Sequence, residues 1–449
     1  MKTISFAAQC AYPKNVARIA RIIQIPATWA LSVVIMATAI TNAEESWPRF
    51  RGPNGDGRLA DFQVSLPWEP TQIVAKVPLP GNGNGSPVIW GDLAYVLCAD
   101  PDTADRTLVA IDIQRGKIRW TKTYPSEQHP LHKMSSYASS TPCVDESGVY
   151  VAWGAPAHSM LKSFTHDGQE RWSVDWGRLV TQHGFGTSPV VVGDRVLLFA
   201  SQDAEELPVG VEPGEDRMIA YDKETGRQVW ERPLKTTRVC YGVPCIASDD
   251  SKSGNSKSVL FCASTGEGFF AIDVADGNQL WSVPMFQKRV CSSPILAGNR
   301  LIATEGSGGG GNILSAVGWK SADFNLVAAE TPTLQYQIQR AASYVPTPIV
   351  DGDFLYTWAD NGVVSCFDLA TGKNQWSQRV GGNFSGSPVI LGGKLINVSA
   401  DGVLSIVKAS PTYALVGTVD LEQSVRSTIA AISDRMLIRT DKSLWIIGK

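Results

Sequence analysis

The sequence predicts an all-β chain: an eight-bladed β-propeller of four-stranded antiparallel blades, with its ring closed by an N-terminal strand. Three observations carry this. A small residue followed by proline recurs at Ser86-Pro87, Thr141-Pro142, Ser188-Pro189, Val243-Pro244, Ser293-Pro294, Thr347-Pro348 and Ser387-Pro388. The proline positions step by 55, 47, 55, 50, 54 and 40 residues, about the length of one blade. Between them run short β-rich stretches punctuated by Gly turns, with no long helical period.

The elements follow in chain order. Residues 1–43 carry Lys2, Lys14, Arg18 and Arg21, no acid, and an apolar run from Ile25 to Ile40, followed by the small residues Thr41, Asn42 and Ala43. This reads as an export signal cut near Ala43, with a retained anchor as the alternative. Removing its four positive charges takes the formal net charge from −3 to −7, which disfavours nucleic acid as a partner. After cleavage no membrane span remains, and a monomer in the periplasm or outside the cell is expected. Residues 44–72 form a segment packed on the propeller, where RGPNGDG makes consecutive turns and Trp47 and Phe50 pin the chain.

The propeller itself occupies 73–449, with blades beginning near 86, 141, 188, 243, 293, 347, 387 and 427. The last unit, Ser427 to Lys449, holds only three strands. Ile73 to Leu79 is a fourth strand lacking three of its own, so joining the two ends closes the ring and removes open sheet edges.

Near-copies of one unit end the third strand and open the fourth: AIDIQRGKIRW from Ala110, AYDKETGRQVW from Ala220, AIDVADGNQLW from Ala271 and CFDLATGKNQW from Cys366, with the shorter SFTHDGQERW from Ser163. In such a hairpin Asp112, Asp222, Asp273 and Asp368 accept turn amides, and the glycine four residues later takes a left-handed conformation. Trp120, Trp172, Trp230, Trp281 and Trp376 then fill the wedge that widens between blades toward the rim. Structural use accounts for these residues better than ligand binding. The fifth and seventh units lack the motif, and Tyr336 and Leu415 are expected to fill their wedges.

These residues resemble the tryptophan-docking repeat, AxDxxTGxxxW, of the pyrroloquinoline quinone (PQQ) propeller superfamily, which includes quinoprotein dehydrogenases and outer-membrane assembly lipoproteins. The chain is similar also to exported PQQ-like propellers of planctomycete-type bacteria, through WPRFRGPNGDG, YVPTPIVDGDFLYTWADNG, GGNFSGSPV and LIRTDKSLWIIG. The resemblance implies the fold over nearly the whole chain after the leader. It implies a PQQ-dependent dehydrogenase less well, because the adjacent cysteine pair of those enzymes is missing and their metal ligands and catalytic Asp find no counterpart. PQQ is thus a possible cofactor that the site residues do not support.

Strand direction places the binding face. The loop between strands two and three opens on the same side as the connector to the next blade, opposite the Asp-Gly turns, and that side is variable. Its connectors carry Tyr137, His183, Arg238, Tyr241, Lys288, Arg289, Tyr344, Asn383, Phe384 and Arg426, of which Tyr137, His183, Arg238, Tyr241, Arg289, Tyr344, Asn383 and Arg426 are the candidates for a ligand funnel. The basic members suit an anion, and Asp100, Asp102, Asp105, Asp203, Glu205, Glu206 and Glu212 could form an acidic rim; a solvated face with structural ion pairs is the alternative. The five histidines do not cluster, no hydrolase or phosphate-loop signature is present, and no metal or catalytic residue is assigned. Seven cysteines follow the leader without regular spacing and read as buried thiols, Cys240 and Cys291 being the pair to consider if a disulfide forms. The functional expectation is a binding or protein-assembly platform taking a protein, small-molecule or carbohydrate partner; the alternatives are a PQQ-dependent oxidoreductase and a carbohydrate or polymer receptor.

Overall fold

The computed structural model describes residues 45–249 and 257–449. The expected leader, 1–43, lies outside them, and among the described residues no helix is long and apolar enough to cross a membrane.

Eight antiparallel sheets follow one another along the chain, each with four strands of the repeat. In blade one these are Val88–Trp90, Leu93–Ala99, Arg106–Asp112 and Lys117–Tyr124. Burial grades outward: the second and third strands are almost wholly buried, whereas the fourth is exposed at the rim apart from half-buried Trp120 and Tyr124. A strand covered by sheets on both faces reads as a continuous apolar run. Blade eight closes as expected: Ile73–Pro78 pairs antiparallel with Ser443–Gly448, beside Arg435–Arg439 and Ala430–Ile432.

The repeated unit performs the same construction in successive blades. The Asp112 carboxylate accepts the amides of Gln114 and Arg115, and Asp222, Asp273 and Asp368 each accept one turn amide. A register shift then follows the residue that pairs with the tryptophan, as between Ala110 and Ile111 opposite Trp120. Such a bulge re-aims the next side chains. Each indole crosses into the following blade: Trp120 Nε1 donates to the His166 carbonyl, Trp172 to Lys223, Trp230 to Val274 and Trp376 to Ser410, at 2.9 to 3.1 Å. The ring lies on the glycine of that blade's turn; a Cβ on Gly226, at φ +71°, would stand 2.7 Å from Trp172. The left-handed backbone and the indole therefore both demand glycine there.

The irregular wedges differ in instructive ways. Tyr336 takes the tryptophan's place as expected, its hydroxyl donating to the Leu369 carbonyl at 2.9 Å. Leu415 does not fill the seventh wedge: it is 52% exposed. The register position facing Ile406 is Gly417, and Pro67 from the N-terminal segment lies against it. Val64, Leu66 and Trp68 of the same segment are buried in the core shared by blades seven, eight and one. In the fifth unit a short helix, Phe324–Ala329, replaces the Asp-Gly turn. It opens where the Asp323 carboxylate accepts the Asn325 amide, a capping contact that the sequence reading passed over. Trp319 of this unit packs on the preceding blade, 5.7 Å from the Trp281 ring, and donates to the Glu330 carbonyl.

Candidate functional site

The small residue before each proline, read from the sequence only as a blade marker, builds the bore of the propeller. Backbone amides donate from blade to blade to the hydroxyls at these positions: Ser86 to Thr141, Thr141 to Ser188, Val243 to Ser293, Ser293 to Thr347, Thr347 to Ser387, Ser387 to Thr428, and Thr428 back to Ser86. The distances are 2.9 to 3.0 Å. Val243 has no hydroxyl, so the belt is interrupted between blades three and four. Each belt hydroxyl accepts one amide, and its own hydrogen meets no acceptor among the described residues. A hydroxyl carries a donor as well as its acceptor lone pairs, so the belt presents donors to the bore.

The segment that opens the described residues closes one end of this bore. The Pro48 carbonyl accepts from Val144 of blade two, and Ile390 of blade seven donates to the Gly57 carbonyl. Arg49 Nη2 donates to the Pro244 carbonyl of blade four at 2.6 Å, and Arg51 Nη1 to Pro348 of blade six at 2.8 Å. Ten residues that touch blades on all sides must sit on the axis, where they form a plug. Trp47 pairs with Ile89, and Phe50, expected only to pin the segment, turns into the bore as part of the lining. Arg49 and Arg51 are buried against carbonyls, and burial pushes the Arg51 guanidinium down to about 10, so it still carries its charge at neutral pH.

Above the plug a funnel of about 1290 Å³ opens on the face opposite the Asp-Gly turns. It brings together seven of the eight residues assigned to it from sequence: His183, Arg238, Tyr241, Arg289, Tyr344, Asn383 and Arg426. Lys288 and Phe384 line it as well. Tyr137 is the exception. Its ring packs over Arg106, and its hydroxyl donates to the His129 carbonyl, so it supports the loop behind the wall. The acidic rim does not form as expected either. Asp203 is buried and accepts the amides of Gln182 and Val239, Glu206 is paired with Arg238 at 2.5 Å, and Asp100 accepts amides of its own loop.

The wall carries a clear imbalance of charge. Its carboxylate, Asp360, is spent on the amides of Tyr344 and Val345 at 2.6 and 3.0 Å. Against it stand Lys133, Arg238, Lys288, Arg289 and Arg426. Lys288 is tied to the Gly310 and Gly311 carbonyls of the Gly-rich loop. Arg289 Nε donates to the Val239 carbonyl, and its Nη2 lies 3.6 Å from Asp203. Burial alone would lower its pKa, but Tyr241, Tyr344 and Asp203 together raise it. Three buried donors in this lining, Tyr241 Oη, Ser385 Oγ and Arg426 Nη1, have no hydrogen-bond partner among the described residues.

Burial pushes the Cys291 thiol up to about 12, so it is protonated and a poor nucleophile at neutral pH. His183 is held below its usual pKa by burial and by Arg289. Its ring lies 5.4 Å from that of His132, a meeting that the linear sequence did not reveal. No hydroxyl or thiol bonds the His183 ring among the described residues, so the base and nucleophile of a hydrolytic pair are not assembled. Cys240 and Cys291 are both free thiols, and so are the other described cysteines.

Comparison with known proteins gives the fold its relatives. The model of a family described as outer membrane protein assembly factor BamB matches residues 157–318 and 310–412. A europium-containing methanol dehydrogenase is similar in structure, with a TM-score of 0.66 at 10% identity over 90% of this chain and 98% of that one. BamB from Moraxella catarrhalis superimposes with a TM-score of 0.53 at 15% identity, covering 84% and 94% of the two chains. For quinohemoprotein alcohol dehydrogenase from Comamonas testosteroni the values are 0.62, 12%, 91% and 81%. No curated protein sequence matches. At these identities the likeness speaks for the fold, which hosts several functions.

The residues of the funnel do not fit a metal-polarised quinone. Among the described residues no three His, Cys, Asp or Glu side chains are grouped to hold a metal, and Asp360 is already engaged. No vicinal cysteines line the wall, where Cys291 stands alone. With the repeat, the closed ring and the matched segments in place, the chain belongs to the BamB-type family of PQQ-like β-propellers.

Proposed function

We propose that the protein is an exported binding platform of the cell envelope, whose funnel face receives its partner. The observation that supports this best is the funnel wall: cations and free donors converge on a large concave site that lacks an assembled nucleophile, base or metal set. The plug adds to it, because a bore closed by the chain's own segment forms a pocket with a floor and leaves no passage. Family membership favours the same role, since its description is that of an assembly factor.

The test pairs two measurements. Pure protein supplied with PQQ and calcium is examined for quinone absorbance and for dye-linked oxidation of alcohols and sugars; neither is expected, and turnover would replace the platform by an oxidoreductase. A photo-crosslinking residue at Arg238, on the funnel face, should capture a partner in intact envelopes, whereas the same residue at Arg227, on an exposed Asp-Gly turn, should not.

A further inference from the structure

Three buried donors of the funnel lining lack partners among the described residues, Tyr241 Oη, Ser385 Oγ and Arg426 Nη1, and two of them stand on opposite sides. Arg426 lies on the connector between blades seven and eight, and Tyr241 on the connector between blades three and four, four blades apart on an eight-membered ring. Buried donors in folded proteins are almost always satisfied, so a pair left open in one cavity marks places where a ligand supplies the acceptors. Each has a charged neighbour suited to an anion. Arg289 stands with Tyr241 and Tyr344 on one side. Lys133 shares with Arg426 both the funnel and a side pocket of about 200 Å³.

The space between the anchors is polar and uncharged. The belt hydroxyls line the bore with donors that meet no acceptor among the described residues, and the half-buried rings of Phe50 and Tyr344 stand around it. Beneath lie the buried charges of Arg49 and Arg51, which hydrogen-bond only to carbonyl oxygens. A field of this sign, focused by low-dielectric walls, draws anions inward. The volume of about 1290 Å³ exceeds what a single small molecule fills.

From the two opposed anchors and the belt between them, we infer that the funnel binds an acidic oligosaccharide, with one carboxylate held at Arg426 and Lys133, another at Arg289 and Tyr241, and sugar hydroxyls over the belt. The inference rests on the platform reading and names the chemistry of its ligand. Sugar rings suit the site because their hydroxyls accept from the belt while their apolar faces lie on aromatic rings. An acidic peptide would also offer carbonyl acceptors to the belt, but its backbone lacks the apolar ring faces that suit Phe50 and Tyr344.

The test is calorimetric titration of the full chain with a galacturonate trimer, the neutral trisaccharide maltotriose and a glutamate hexapeptide. The trimer should bind with one-to-one stoichiometry and maltotriose at least tenfold more weakly, and the affinity should fall as salt rises. Arg426→Gln should weaken the trimer at least tenfold, and Tyr241→Phe several-fold, with the thermal midpoint of free Arg426→Gln unchanged and that of free Tyr241→Phe no lower than the parent's, because neither atom has a hydrogen-bond partner among the described residues. Absence of binding by the trimer, equal affinity for maltotriose, or variants that bind like the parent would overturn the inference. Tighter binding of the peptide would overturn the sugar assignment and leave the platform intact, whereas quinone-dependent turnover would remove the platform itself.

Discussion

The rim and the funnel of this propeller are built by the same eight repeats and treat their polar groups in opposite ways. At the rim, the indoles of Trp120, Trp172, Trp230 and Trp376 each find a carbonyl in the next blade, and the turn carboxylates accept amides. In the funnel, Tyr241 and Arg426 hold donors that meet nothing among the described residues. A buried donor left without an acceptor costs about 1 to 3 kcal/mol. The rim thus contributes stability, and the funnel gives some of it up to keep a site open.

Breaking the rim should have the largest effect. Trp172→Ala, which removes a buried ring and its bond to Lys223, should cost about 3 to 5 kcal/mol, read as a fall in the urea midpoint. Trp281 tests the same point from the other side, because its indole N–H has no partner among the described residues. Trp281→Phe should therefore cost about 1 kcal/mol less than Trp172→Phe. Next comes Gly226→Ala, which places a Cβ at φ +71° and 2.7 Å from Trp172, with an expected loss of about 2 kcal/mol.

A smaller effect sharpens the contrast just behind the funnel wall. Burial pushes Asp216 up to about 8, although the Gln202 amide and Ser201 hydroxyl favour its ionised form. The folded protein then keeps a proton that the unfolded chain has released above the ordinary carboxyl value of 3.8. Stability should fall as pH rises through that window toward 8, by up to about 1.4 kcal/mol per pH unit. Denaturant titrations across the window should lose that slope in Asp216→Asn. The smallest effect should be that of Arg426→Gln, within about 0.5 kcal/mol of the parent in the absence of ligand. A large loss there would mean that Arg426 supports the fold and that the comparison of rim with funnel fails at that point.

Legibility in the sequence followed the same division. The blades were readable because each repeats a local chemistry: proline at the start of an inner strand, Asp and Gly at a turn, and Trp four residues on. Tyr336 could be placed by that register, whereas Leu415 could not, since Pro67, far away in sequence, covers Gly417 and leaves Leu415 outside. The funnel residues other than Tyr137 were found through strand direction alone. Their partners were not, because Asp203 holds Val239 and Gln182 through contacts between blades.

By itself the sequence determined the number of blades, the closing strand and the face on which the funnel opens, because these depend on local periodicity and on the alternation of strand direction. Only the tertiary structure decided that the N-terminal segment plugs the bore, that His132 meets His183, and which donors in the funnel stay unpaired. Those outcomes depend on where residues distant in the chain converge around a common axis, and no local pattern records that.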